Sequence, residues 1–340
     1  MPCVRSPIPS LALAVAFGLA ILAPAGAQAP PVDGAAPPPA PSFAYLTTPP
    51  LGMPPMPTPP GGAPTVAMFD LGRDLFADPV LSRDRTVSCA TCHPAATAFA
   101  SPEPRPAGVD GRRARRHAPA LLNRGWGQRM RWDGSTASLD AFVLQPIADP
   151  MEMDLPLDAA LRRLRDDPLW RARFAAAFDD GVTEPNLARA LATFVRGIAA
   201  GDAPIDRFHA GDARALSASQ RTGLWLFESK AGCWRCHPAP LFTDERMHNT
   251  GVGARDGAPE AGLAAHTGDA ADTGRFKTPT LRGIGRSAPF MHDGSLPGLE
   301  DVVRFYARGG EANPHLDAAV GPLRLDEAEQ RHLVEFLRTL

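Results

Sequence analysis

The sequence predicts a mainly α-helical chain with long loops, built as two similar halves. Three observations carry this. Apolar residues recur at helical spacing, as in Leu187, Leu191, Phe194, Val195 and Ile198, and again in Leu333, Phe336, Leu337 and Leu340. No stretch of any length alternates apolar and polar residues as a half-buried strand would. A five-residue arrangement occurs twice, Cys89-Ala90-Thr91-Cys92-His93 and Cys233-Trp234-Arg235-Cys236-His237. Each copy follows a related lead, Gly72-Arg73-Asp74-Leu75-Phe76 and Gly223-Leu224-Trp225-Leu226-Phe227, which marks a single internal duplication rather than a short-period solenoid.

Residues 1–29 read as an export signal. Arg5 supplies the positive start, Leu11 to Leu22 the apolar run, and Ala25-Gly26-Ala27 or Ala27-Gln28-Ala29 a small-residue cleavage site. The run is short for a membrane span, and an uncleaved anchor is the alternative. The expected location is therefore the periplasm. Cys3 precedes the apolar run and leaves with the signal. The remaining four cysteines all lie in the pentads, so none is left for a structural disulfide. Residues 30–64 are proline-rich and read as an extended, semi-rigid, disordered tether.

The folded part starts near Thr65. With 340 residues, 44% of them hydrophobic, the chain can build one large or two modest domains. The expected division is 65–203 and 204–340, with the break near Gly201 to Ile205. Capping boxes are expected at Ser217 with Gln220 and at Asp326 with Glu329. The net charge of −2 gives no argument for a nucleic-acid partner. The run Arg112, Arg113, Arg115, Arg116 fits a solvated or propionate-facing loop better than a phosphate track.

Cys-x-x-Cys-His is the attachment motif of a c-type haem. Two thiols reach the two vinyl groups, and the adjacent histidine reaches the iron. The competing readings are a zinc site and a thioredoxin-like redox pair. An export signal, two separate pentads and no strand-helix-strand context weigh against both. Two covalently bound haems are expected, held by Cys89 and Cys92 and by Cys233 and Cys236, with His93 and His237 as proximal ligands. The mainly α chain becomes two cytochrome-c-like haem domains. The second axial position decides function: methionine or histidine favours electron transfer, and an empty site favours activation of a small oxidant.

The stretches LFADPVLSRDRTVSCATCH, RRHAPALLNR, RWDGSTASL, LQPIADPMEM, PIDRF, LFESKAGCWRCH, LFTDERMHNTGV and RFKTPTLRGIGRSAPFMHDGSLPGLEDVVRFY cover nearly all of residues 68 to 340. In order and spacing they resemble the bacterial dihaem cytochrome c peroxidases and MauG. The resemblance implies a periplasmic, mainly helical protein with one haem per domain. The first haem meets hydrogen peroxide and the second stores or relays electrons. It implies that Glu152 is the acid-base group over the peroxide haem, that Pro146 lines the same pocket, and that Trp132 relays electrons between the haems. From the residues alone, Glu152 is one acid beside Asp149 and Asp154, and Trp132 is one of five tryptophans.

Two positions depart from the ordinary peroxidases. Val109 stands where those enzymes often carry a capping histidine, so the peroxide haem is expected to be open at rest; His117, the nearest histidine, is the rival. Tyr306 stands where they carry methionine, as in MauG, and is the implied second ligand of the other haem; Met291 is its rival. The resemblance also implies a calcium ion held by backbone oxygens of Ser287 and Pro289, but the matching side chain is His117, a poor calcium ligand. Three functions remain open. One is a peroxidase drawing electrons from a small cytochrome c or cupredoxin. The second is a MauG-like enzyme oxidising a tryptophan or tyrosine of a partner protein. The third is a non-catalytic electron-transfer cytochrome. The resemblance leaves room for a homodimer.

Overall fold

The computed structural model describes residue 1 and residues 40–254 and 257–340. The export-signal reading, Cys3 and the first part of the proline-rich stretch lie outside the described residues. Among the described residues, no helix is long and apolar enough to cross a membrane.

The first half is organised by the helices Val66–Ala77 and Glu184–Arg196, which pack on each other. Thr65 caps the first by accepting from the Met68 N–H at 3.2 Å, and Thr183 caps the second. In the second half the helices Ala218–Glu228 and Glu327–Leu337 make the matching pair. Both expected capping boxes form, Ser217 with Gln220 and Asp326 with Glu329.

The repeated lead explains why these pairs approach so closely. A Cβ on Gly72 would come within 2.0 Å of the Ala190 carbonyl oxygen, and one on Gly223 within 2.0 Å of the His332 carbonyl oxygen. Only glycine lets the backbones meet there. Four residues later Phe76 packs on Phe194 with ring centroids 5.0 Å apart, and Phe227 packs on Phe336 at 5.2 Å. One buried core runs from Met68 to Ile198 and includes Leu75, Leu81, Leu164 and Leu187. Another runs from Ile205 to Leu340 and includes Phe227, Leu333 and Phe336.

Among the described residues the only sheet is a two-strand antiparallel pair, Met247–His248 with Phe276–Lys277, in register Met247 to Lys277 and His248 to Phe276. Long loops carry the remaining chemistry, as the absence of alternation led one to expect.

The described part of the proline-rich stretch is not a free tether. Prolines lack N–H groups but keep their carbonyls, and the fold uses them as acceptors. The Trp126 indole N–H is shared between the Pro54 and Pro55 carbonyls, each at 3.2 Å. Asp202 N–H bonds the Leu51 carbonyl at 2.9 Å, and Ser42 N–H bonds the Gly197 carbonyl at 3.0 Å. Met53 is buried with Trp126 and Ala199. The stretch is a strap laid on the body.

Candidate functional site

The two pentads fold alike. Cys89–Cys92 is one helical turn, and Cys233–Arg235 is a tight turn entered through Gly232 at φ +64. In each, the histidine N–H closes on the first cysteine carbonyl at 2.9 Å, His93 on Cys89 and His237 on Cys233. His93 Nδ1 lies 2.8 Å from the Phe99 carbonyl, and His237 Nδ1 lies 2.9 Å from the Phe242 carbonyl. A carbonyl only accepts, so Nδ1 carries the proton and Nε2 keeps a free lone pair. Burial holds both imidazoles down at about 4, so they are neutral.

The four described cysteines are free. Burial pushes the Cys89 and Cys233 thiols up to about 12 and Cys92 to about 11. A reactive redox pair needs the opposite shift. Cys236, Asp244 and His248 bring ligand atoms within 4.8 Å of one another. His248, however, is pushed up to about 10 by Cys236, Asp317 and Asp244, and an imidazolium has no lone pair to give. A pair of free cysteines beside a neutral imidazole with a free Nε2 fits a haem at each pentad.

Glu152 is within electrostatic reach of Cys89 and Cys92 and raises both thiols, as Glu103 also does Cys92. Its own carboxyl is raised by burial and by Asp149, and lowered by Arg131. The turn that holds it is tightly tied: Glu152 N–H bonds the Asp149 carbonyl at 3.0 Å, and Met153 N–H bonds the Pro146 carbonyl at 3.2 Å. Pro146 and Glu152 therefore share one structural unit. Val109 is fully buried and gives its N–H to the Glu152 carbonyl at 2.8 Å. Val109, the residue expected in place of the peroxidases' capping histidine, cannot bind iron. His117 is buried within electrostatic reach of His93, and its Nε2 is taken by the Ser101 carbonyl at 2.9 Å. That bond also counts against calcium, because a hard cation wants oxygen and this side chain offers an engaged nitrogen.

Tyr306 lies in the helix Leu299–Ala307, whose Leu299 and Val303 sit in the second core. Burial pushes its phenol up to about 12; Thr250 hydrogen-bonds it, and the thiols of Cys236 and Cys233 are close enough to raise it further. The phenol is thus near the second pentad.

Trp132 lies where the halves meet. Its indole N–H bonds the His117 carbonyl at 2.8 Å, and its own carbonyl accepts from Lys277 N–H at 2.7 Å. It meets His292 edge to face, ring centroids 6.4 Å apart. His292 in turn stacks on Phe276 at 3.6 Å. The polar network around this seam escaped the sequence reading. Glu245 accepts from Arg124 at 2.8 Å and faces Lys277 at 3.5 Å, with all three side chains buried. Burial, then Arg124, push the Lys277 ammonium down to about 7. The basic run is used locally: Arg112 pairs with Asp110 and Asp154, Arg113 with Glu103, and Arg116 with Asp133.

The family described as di-haem cytochrome c peroxidase matches residues 66–214. A methylamine utilization protein MauG of Methylorubrum extorquens is 40% identical over 274 residues, 79% of this chain and 77% of that protein. A cytochrome-c peroxidase IdrP2 of Denitromonas iodatirespirans is 33% identical over 301 residues, 80% of this chain and 81% of that protein. A solved MauG-like protein associated with microbial copper homeostasis superposes with a TM-score of 0.79 at 31% identity, covering 85% of this chain and 93% of that one. The chain is a haem-dependent oxidoreductase and belongs to the dihaem cytochrome c peroxidase and MauG family.

Proposed function

We propose that this chain is a periplasmic dihaem c-type peroxidase. Hydrogen peroxide is reduced beside the first pentad, and electrons arrive through the C-terminal half from a protein donor, a small cytochrome c or cupredoxin. Cys89 and Cys92 would attach one haem and Cys233 and Cys236 the other, with His93 and His237 offering Nε2 to the iron. When bound, each haem supplies an iron that cycles between oxidation states.

What supports this reading is a buried carboxyl, Glu152, within electrostatic reach of Cys89 and Cys92, in a turn backed by the non-ligating Val109. Reduction of peroxide to two waters takes up two electrons and two protons, and one proton must move from the near oxygen to the departing one. A carboxyl raised by burial can take and return that proton. Pro146 keeps the pocket wall rigid, and Trp132 is the relay across the seam. A non-catalytic cytochrome has no use for such a carboxyl. The test is peroxide-dependent oxidation of reduced cytochrome c: turnover in the wild-type protein and its loss in Glu152→Gln support the reading, whereas equal turnover in both contradicts it.

A second reading is favoured by Tyr306. A phenol near the second pentad, held protonated by burial, ionises there only for a metal cation. A phenolate favours oxidised iron and suits a MauG-like role, in which peroxide equivalents oxidise a tryptophan or tyrosine of a partner protein. Slow cytochrome c turnover with a long-lived oxidised state would select this reading, and fast turnover the first.

A further inference from the structure

We propose that Arg131 is a second polar group of the peroxide pocket, a cation that faces the Glu152 carboxylate and donates hydrogen bonds to the departing oxygen of bound hydrogen peroxide. The proposal rests on the reading of Glu152 given above.

The backbone at Arg131 is left-handed, at φ +61, a conformation that non-glycine residues adopt only when the surroundings enforce it. Met291, at the equivalent place in the other half and directly before His292, is left-handed too, at φ +75. The two loops match further: Met130 bridges Thr136 and Phe290 bridges Leu296. So the fold fixes the direction of one side chain per half, at the residue before the seam.

The Arg131 side chain is then clamped. Its Nε donates to Gln145 Oε1 at 2.8 Å, and Gln145 Nε2 donates to Thr136 Oγ1 at 3.0 Å. Its guanidinium lies over the Phe142 ring, 5.8 Å from the centroid. Gln145 directly precedes Pro146 on the turn that leads to Glu152. The clamp uses Nε alone. Among the described residues Nη1 and Nη2 have neither a hydrogen-bond acceptor nor an ion-pair partner, and this sets Arg131 apart. Other enclosed arginines have a carboxylate on the fork: Arg116 pairs with Asp133, although its Nε has no partner, Arg124 with Glu245, Arg196 with Asp140 and Arg282 with Asp206. A half-buried cation held at one nitrogen, with its fork left open, is prepared for a small polar ligand.

The charges around Glu152 agree. Burial and Asp149 favour its protonated form, Arg131 favours the carboxylate, and the nearby Cys89 and Cys92 are protonated thiols. Among the described residues Arg131 is the cation that acts on this carboxyl, so it sets the fraction able to accept the peroxide proton.

The experiment is the rate of reaction of the holoprotein with hydrogen peroxide across pH, for wild type, Arg131→Met, Arg131→Lys and Glu152→Gln at equal haem content. Arg131→Met is expected to be slower by about tenfold or more at neutral pH. Its acid limb should move to higher pH, because without the cation Glu152 keeps its proton longer. Arg131→Lys keeps the charge and should return the limb to its wild-type position while staying slower, having lost the fork. If Arg131→Met loses haem, the lysine variant alone decides, and a wild-type rate in it overturns the proposal. A wild-type rate and profile in Arg131→Met also overturn it, and with Glu152→Gln still slow they leave Glu152's role standing. A wild-type rate in Glu152→Gln overturns both.

Discussion

Trp132 and His292 stand at matching places in the two halves and meet edge to face, with ring centroids 6.4 Å apart. Each opens an Asp-Gly-Ser turn, with Asp133 Oδ1 accepting from Ser135 N–H at 3.1 Å and Asp293 Oδ1 from Ser295 N–H at 3.0 Å. Each carbonyl accepts from the opposite half: Trp132 from Lys277 N–H at 2.7 Å, and His292 from His117 N–H at 2.9 Å. The seam is therefore built twice by one rule, and it holds the indole between the two halves.

Replacing Trp132 by Phe keeps a ring but removes the indole bond to the His117 carbonyl. The expected loss is about 1 kcal/mol of stability. The absorption change of the second haem after peroxide should lag that of the first. Rapid-mixing spectroscopy checks the lag, and simultaneous changes at both haems in the variant would remove Trp132 from the relay.

Gly72→Ala and Gly223→Ala should each destabilise the protein by about 1–3 kcal/mol, since either methyl meets a backbone carbonyl within 2.0 Å. Thermal unfolding measures this. The duplication predicts similar losses in the two variants.

Much of this architecture was legible in the chain. The pentads, the repeated Gly-to-Phe lead, the capping boxes and the helical stripes are local patterns, and local patterns survive in a linear reading. The tether was misjudged because composition records that prolines lack donors but not that Trp126 would seek their carbonyls. The reciprocal seam could have been found by setting HAPALLNRGW against KTPTLRGIGR and RWDGS against MHDGS. The Arg124–Glu245–Lys277 network could not, because its members are far apart in sequence and each alone looks like a surface charge. For the same reason Arg131 carried no signal until its backbone conformation and its clamp were visible.

Glu245→Gln should expose the cost of that network. Burial alone would raise the Glu245 carboxyl, but Arg124, Lys277 and the Arg129 amide outweigh it and hold the group down from 4.5 to about 2. A depressed carboxylate contributes stability that is present above pH 4.5 and is lost as pH falls toward 2. The melting temperature of the wild-type protein should therefore fall more steeply than that of the variant in this window. At neutral pH the variant leaves the buried Arg124 guanidinium without its anion, while Lys277 can shed its proton, and the protein should be less stable by about 3 kcal/mol.

Tyr306→Phe should leave haem content and the first haem unchanged while raising the reduction potential of the second, because a phenolate donor favours ferric iron. Spectroelectrochemical titration measures it, and an unchanged potential would assign the tyrosine to packing alone.

The central claim is that the two pentads carry different haems, one open to peroxide under Glu152 and one held under Tyr306. Low-temperature electron paramagnetic resonance of the resting ferric protein, repeated after one equivalent of peroxide, tests it most directly. The account predicts a high-spin signal beside a low-spin signal, both lost on peroxide without added reductant. Two low-spin signals unmoved by peroxide would mean that both irons are capped at rest, and the reading of Val109 would fail.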